Sequence, residues 1–339
     1  MDINISQWKW LMTLWLTISS FILFLFISAV NANAQPITFQ DGENKLSGEY
    51  LTPLHNQPAK AVLVFVHGDG AQTYDADGYY ELIWDQLRAQ GYAVLSWDKP
   101  GVGDSLGNWL DQTMQDRQQE VMAAVEWVQQ NHGFTASNTG LIGFSQAGWV
   151  VPALASNDNK VGFAIGVGFA KNWIEQGRYY TQTKHQLADD NKADIQAAIA
   201  QYNDEVNFFK SALPSDYKRN DSMSRQRFQF VIKNINADAS AEYKKINIPT
   251  LLLWGKDDLN VDAKAEFAYW QQQPNPYVTT VLLDDANHGL LDSKQFSRQS
   301  YGIKDWLKLA WLGEDAMASD VMPTLLRWLE QLPLPEPIK

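Results

Sequence analysis

Cysteine is absent from the 339-residue chain, which excludes disulfides, thiolate nucleophiles and zinc–sulfur sites together. Basic charge is sparse: 27 Lys and Arg stand against 39 Asp and Glu, a net charge of −12, and no Lys/Arg cluster occurs. Such a surface repels phosphate backbones, so no nucleic-acid partner is expected. Histidine is scarce too. Among His55, His67, His132, His185 and His288 no two stand at metal-ligand spacing, so a histidine-based metal site is not expected. Beyond residue 34 no apolar run is long enough to span a bilayer.

The first 34 residues are the exception. From Trp10 to Val30 the chain reads WLMTLWLTISSFILFLFISAV without one charge, and NANAQ follows. Ala32 and Ala34 supply the small-x-small pattern of a signal-peptidase site, with cleavage expected before Gln35. The basic leader is thin, and an apolar run of about 20 residues is also long enough for an uncleaved membrane anchor. Residues 1–34 are therefore expected to export a domain of residues 35–339, to the periplasm or the medium if cleaved. If uncleaved, they provide the only membrane contact.

The remainder is that of a packed globular protein, with 45% apolar and 19% charged residues over the whole chain. ITF and LSGEYL read as leading antiparallel strands. AVLVFVHG (61–68), YAVLSWD (92–98), TGLIGFS (139–145), VGFAIGVG (161–168), PTLLLWG (249–255) and VTTVLLDDA (278–286) read as buried strands. Near-continuous apolar strands separated by amphipathic stretches imply an α/β fold, a mostly parallel sheet of about eight strands with helices on both faces. From about 172 to 245 this alternation stops, and polar, helical patterning with interleaved aromatics predicts an inserted helical cap. The aromatics (Trp173, Tyr179, Tyr180, Phe208, Phe209, Phe228, Phe230) are expected to form the cap's own core.

LIGFSQAGWV, residues 141–150, sets Ser145 between Gly143 and Ala147-Gly148, directly after a strand. That is the context of a strained strand-to-helix turn presenting a nucleophile, although a serine there can also be a plain helix cap. A serine nucleophile needs a base oriented by a carboxylate. Asp257 and Asp258 follow the strand at 249–255, and His288 follows the strand at 278–286. The strand ending at His67-Gly68 leads into Asp69 and Gly70. Main-chain N–H groups of Asp69 and Gln146 are therefore expected to hold the oxyanion that acyl transfer creates, with His67 structural. A neutral histidine base predicts a single loss of kcat/KM in acid near the ordinary histidine value of about 6.5.

These motifs resemble those of serine hydrolases of the α/β-hydrolase superfamily, particularly dienelactone-hydrolase and acyl-thioesterase-like esterases. VFVHGDG, SWDKPGVGDSLGNW, GLIGFSQAGWVVP, LLLWGKDDLNV and DDANHGL stand where that family has its oxyanion loop, post-strand loop, elbow, acid loop and histidine loop. Ala147 replaces the usual glycine of the elbow, and Pro100 stands where arginine is common. The resemblance implies the α/β-hydrolase fold, hydrolysis of a carboxylic ester or related acyl bond in a small molecule, and no cofactor. The family pattern G-x-x-D-x-x-V falls on Gly255, Asp258 and Val261, which favours Asp258 over Asp257 as the acid. A serine peptidase on the same fold, using Glu175 or Asp189-Asp190 to hold an amino terminus, is a further possibility. So is a non-catalytic binding protein built on the scaffold.

Overall fold

The computed structural model describes residues 34–157, 159–219 and 223–338. The expected export segment, Ala34 apart, lies outside the described residues. Eight strands form one sheet: β1 (Ala34–Asp41), β2 (Asn44–Leu51), β3 (Ala61–Val66), β4 (Tyr92–Trp97), β5 (Thr139–Phe144), β6 (Phe163–Val167), β7 (Thr250–Gly255) and β8 (Val278–Leu283). Their order is β1-β2-β4-β3-β5-β6-β7-β8. β1 and β2 pair antiparallel, as do β2 and β4, while all later neighbours are parallel. The described helices are α1 (Glu81–Ala89), α2 (Met114–His132), α3 (Val151–Asn157), α4 (Trp173–Leu187), α5 (Lys192–Ser211), α6 (Arg225–Asn234), α7 (Ser240–Tyr243), α8 (Ala263–Gln272), α9 (Ile303–Leu312) and α10 (Val321–Glu330). None is long and apolar enough to cross a membrane.

Every residue of β3 to β7 is buried, as strands covered on both faces require. Successive residues of β3 serve opposite faces. Val62, Val64 and Val66 pack in a core with Val121, Val125 and Val128 of α2. Ala61, Leu63 and Phe65 pack in a second core with Leu82, Ile83 and Leu87 of α1 and Leu325 and Leu329 of α10. The start of α2 is written locally. Thr113 Oγ1 accepts from Asp116 N–H at 3.1 Å and Asp116 accepts from Thr113 N–H at 2.7 Å, a reciprocal cap.

Between β6 and β7 the described residues form α4 to α7 and no strand, apart from an isolated bridge between Asn172 and Asp238. This insertion has a small core of its own, with Val206, Val231 and Ile235 buried beneath Ile174, Tyr202 and Phe209. Because β3, β5, β7 and β8 run parallel, the loops that follow them all emerge at one edge of the sheet. Ligand sites of open α/β sheets are built at that carboxyl edge.

Candidate active site

Ser145 leaves β5 with a φ of +52°, a left-handed conformation that an L-residue holds only where its surroundings enforce it, at a cost of about 1–3 kcal/mol. A short 3-10 turn over Ser145–Trp149 leads into α3. The turn leaves no room beside the serine. A β-carbon on Gly143 would lie 2.8 Å from Val151 Cγ2 and 2.9 Å from Ala147 Cβ, and one on Gly148 would meet Phe169 at 3.0 Å. The small flanking residues are thus a packing requirement, and a single methyl at Ala147, fully buried, satisfies it.

Asp257 and Asp258 part company after β7. Asp257 is exposed and accepts from Ser293 Oγ at 2.6 Å. Asp258 is 2% exposed. Its Oδ1 accepts from the N–H groups of Asn260 and Val261 at 2.7 and 2.8 Å, and its Oδ2 lies 2.7 Å from His288 Nδ1. An ionised carboxylate can only accept, so Nδ1 carries the proton and Nε2 presents its lone pair. Burial opposes a charge on His288, but the Asp258 carboxylate outweighs it and holds the imidazole pKa above its ordinary value. The ring packs on Gly168, whose φ of +62° suits glycine and where a β-carbon would lie 2.9 Å from His288 Cε1. Ser145 and His288 line the same two cavities. Their side chains are not hydrogen-bonded to each other here; nucleophile–base contacts in ligand-free sites are often long and tighten with substrate.

The loop after β3 crosses directly over this turn. A β-carbon on Gly68 would lie 3.3 Å from Ser145 Cβ. The main-chain N–H groups of Asp69 and Gln146 have no acceptor among the described residues, although both flank the cleft. The Gln146 side chain, by contrast, is bonded at both ends. Its amide oxygen accepts from Arg117 Nη1 at 2.8 Å and its amide nitrogen donates to Asp69 Oδ1 at 3.0 Å. Arg227, on α6 of the insertion, forks onto the same carboxylate at 2.9 and 2.7 Å. Burial works against charge on Asp69, yet the Arg227 bonds prevail and hold its carboxyl below the usual range. His67 is buried between Tyr80 Oη at 3.1 Å and the Trp97 carbonyl at 2.5 Å. Burial, assisted by the Lys99 charge, pushes its pKa down to about 3, so it stays neutral and structural.

Two cavities meet at Ser145. One, about 340 Å³, is walled by Tyr79, Tyr80, Phe144, Leu291, Tyr301 and Trp306. The other, about 650 Å³, is lined by Trp149, Trp173, Gln176, Tyr180, Arg227 and Gln299. The insertion's aromatics therefore do not all form its core. Phe208, Phe209 and Phe228 cluster with one another, but Trp173 stacks on Trp149 at 4.9 Å and borders the larger cavity with Tyr180. Tyr179 donates to the Asp258 carbonyl at 2.7 Å. Aromatic content alone could not separate these roles, because the choice depends on which side of α4 faces the sheet. Glu175 is bound by Lys171 and Asp190 pairs with His185 at 2.6 Å. Neither they nor Asp189 line the cavities at Ser145. Lys99, Arg117 and Arg227, which brace the loop over Ser145, are absent from the sequence-based assignment. Only the position of Lys99 within DKPGVGDS offered any signal.

No curated protein matches the chain in sequence. In fold it is similar to the Pyrococcus furiosus esterase Pf2001, with a TM-score of 0.53 and 16% identity over 84% of this chain and 91% of that one. Est1E from Butyrivibrio proteoclasticus, solved with ferulic acid bound, gives 0.54 and 16% over 87% and 100%. The alpha/beta hydrolase GrgF from Penicillium sp. sh18 gives 0.57 and 15% over 88% and 97%. Identities this low speak for a common architecture alone. The sequence model of the alpha/beta hydrolase family matches residues 63–297, a span that begins in β3, contains Ser145, Asp258 and His288, and encloses the insertion; the chain belongs to the alpha/beta hydrolase family.

Proposed function

We propose that the protein is a serine hydrolase that cleaves a carboxylic ester, or a related acyl bond, of a small molecule through an acyl-enzyme. The observation that carries this reading is the 2.7 Å bond between Asp258 and His288 in the cleft onto which the strained Ser145 turn opens. Ser145 Oγ attacks the acyl carbon while His288 Nε2 takes the hydroxyl proton. The carbonyl oxygen becomes an oxyanion that accepts from Asp69 and Gln146 N–H, each donor worth about 3 kcal/mol in the transition state. The bond from acyl carbon to leaving oxygen then breaks, and His288 returns the proton to the departing alkoxide. A water, deprotonated by the same nitrogen, adds to the acyl-enzyme, and the collapse releases the acid and restores Ser145. The apolar wall from Tyr79 to Trp306 suits a substrate with one apolar end. Among the described residues no acidic group of the insertion lines the cavities at Ser145 to hold a peptide's amino terminus, so the peptidase reading gains nothing.

The test is hydrolysis of p-nitrophenyl esters set against aminoacyl-naphthylamides, with fluorophosphonate labelling of the protein. Ester turnover should dominate, the label should map to Ser145, and Ser145→Ala and His288→Ala should each remove nearly all activity. The double variant should be hardly worse than either, because the members act as a unit. Substantial esterase activity in Ser145→Ala, or loss of activity to EDTA, would refute the mechanism.

A further inference from the structure

Beneath the loop that crosses Ser145 lies a buried lysine amine without a carboxylate partner. Lys99 follows β4 and is 1% exposed, and no salt bridge among the described residues includes it. Its Nζ donates to Gly68 O at 2.6 Å and to Gly70 O at 2.9 Å, and it faces the Trp109 ring 5.0 Å from the centroid. A buried guanidinium stands beside it. Arg117, 3% exposed, donates from Nη2 to His67 O at 2.5 Å. Three carbonyls of one four-residue loop thus point down at two buried basic side chains. The φ of +98° at Gly70 turns the chain back on itself, which lets the carbonyls of Gly68 and Gly70 converge on one nitrogen.

In a trans peptide the C=O and N–H point in opposite directions. Gly68 C=O and Asp69 N–H belong to the same peptide unit, so drawing the carbonyl down onto Lys99 turns the N–H up towards the cleft, where no group among the described residues accepts it. We propose that Lys99 is a positioning residue: by holding the Gly68 carbonyl it aims the Asp69 N–H at the place where the substrate oxygen becomes negative, without itself touching substrate. The proposal rests on Asp69 N–H being an oxyanion donor, as set out above. Burial and the neighbouring Arg117 charge push the Lys99 pKa down, and the amine keeps N–H donors for both carbonyls even when neutral. A donor on the carbonyl oxygen also polarises the amide and strengthens its N–H as a donor to a developing oxyanion. An apolar side chain of similar length would fill the space and supply neither effect.

The trial uses the full protein, with Lys99→Met and the partly conservative Lys99→Gln, active sites counted by fluorophosphonate titration. The expected ranking in kcat is wild type, then Gln, then Met, with the Met variant down about 100-fold and KM within about threefold. Affinity for phenylboronic acid, which forms a tetrahedral adduct on the serine, should fall in parallel with kcat/KM. Boronate affinity within about twofold of wild type in whichever variant folds, or a loss carried wholly by KM, overturns the proposal. A crystal structure of the wild-type phosphonate adduct decides independently of either variant. The phosphonyl oxygen should accept from Asp69 N–H while Lys99 Nζ remains on Gly68 O. An adduct on Ser145 whose oxygen lies elsewhere, or with Lys99 turned away, sinks this inference alone; phosphonate on another residue sinks the serine mechanism instead.

Discussion

Asp258 is held by two main-chain N–H groups on one oxygen, so the plane of its carboxylate is set whatever His288 does, while Asp257 spends its side chain on Ser293 at the surface. Asp258→Asn would present an amide N–H to His288 Nδ1, force the proton to the other nitrogen and remove the base. A loss in kcat of about 10⁴ is expected. Asp257→Asn should leave kcat within about twofold, and steady-state kinetics showing the reverse ranking would reassign the acid. The same carboxylate moves the acid limb of the pH profile. The working form of His288 is neutral, activity falls as it protonates, and Asp258 raises the pH at which it does so. The limb of kcat/KM should therefore lie above the ordinary histidine value of about 6.5, not at it as the isolated residue would suggest. A midpoint at or below that value contradicts the assignment. At this scale the order Ser145, Asp258, His288 was legible because Ser145 directly follows a strand and the other two stand in the short loops after theirs, beyond Gly255 and Leu283. The direction in which each neighbouring carboxylate points was not, since that depends on the Asn260–Val261 turn and on Ser293.

Among the elements, α6 has the least obvious part to play. It lies in the insertion, 158 residues along the chain from the loop it grips through Arg227 and Asp69. The Arg227 guanidinium also sits 5.0 Å from the Phe230 ring and 5.7 Å from that of Trp109, so its fork is held before it meets the carboxylate. Both side chains remain partly exposed, at 31% and 42%, and a pair of that kind adds at most about 1 kcal/mol to stability. Arg227→Leu should accordingly leave the melting temperature nearly unchanged. It should lower kcat/KM by about tenfold to a hundredfold, because the loop carrying Asp69 N–H loses a tether. Full activity in a folded variant would show that the loop is braced sufficiently from below. Helix α9 was not legible at all. Ile303, Leu307 and Trp311 lie one turn apart and are 76%, 66% and 87% exposed, so its apolar residues do not mark a single core-facing stripe, whereas α2 is announced by its cap and ended by Gly133 at a φ of 72°.

For the molecule as a whole, we propose that residues 1–34 direct export and that the mature chain begins at Gln35. Such a chain would keep strand β1 essentially entire, since Gln35 pairs with Tyr50 and the register continues to Asp41. Amino-terminal sequencing of protein from the cell envelope should read Gln-Pro-Ile-Thr; an intact Met1 in membrane fractions would show an anchor instead. The strands of the sheet and the helices that cover it, α9 apart, were determined by the sequence alone. Hydrophobic periodicity, caps and turn glycines are local properties, and parallel strands buried on both faces write themselves as unbroken apolar runs. The positions of Ser145, Asp258 and His288 at strand ends were determined in the same way, because parallel strands bring such ends to one edge. Only the tertiary structure decided which carboxylate meets His288, which aromatics border the cleft, and that Lys99, Arg117 and Arg227 converge on the loop after β3. The contacts of Asp258 with His288 and of the three basic residues join positions from 29 to 158 apart, and their existence depends on how helices and loops pack over the sheet, which no local pattern of residues encodes.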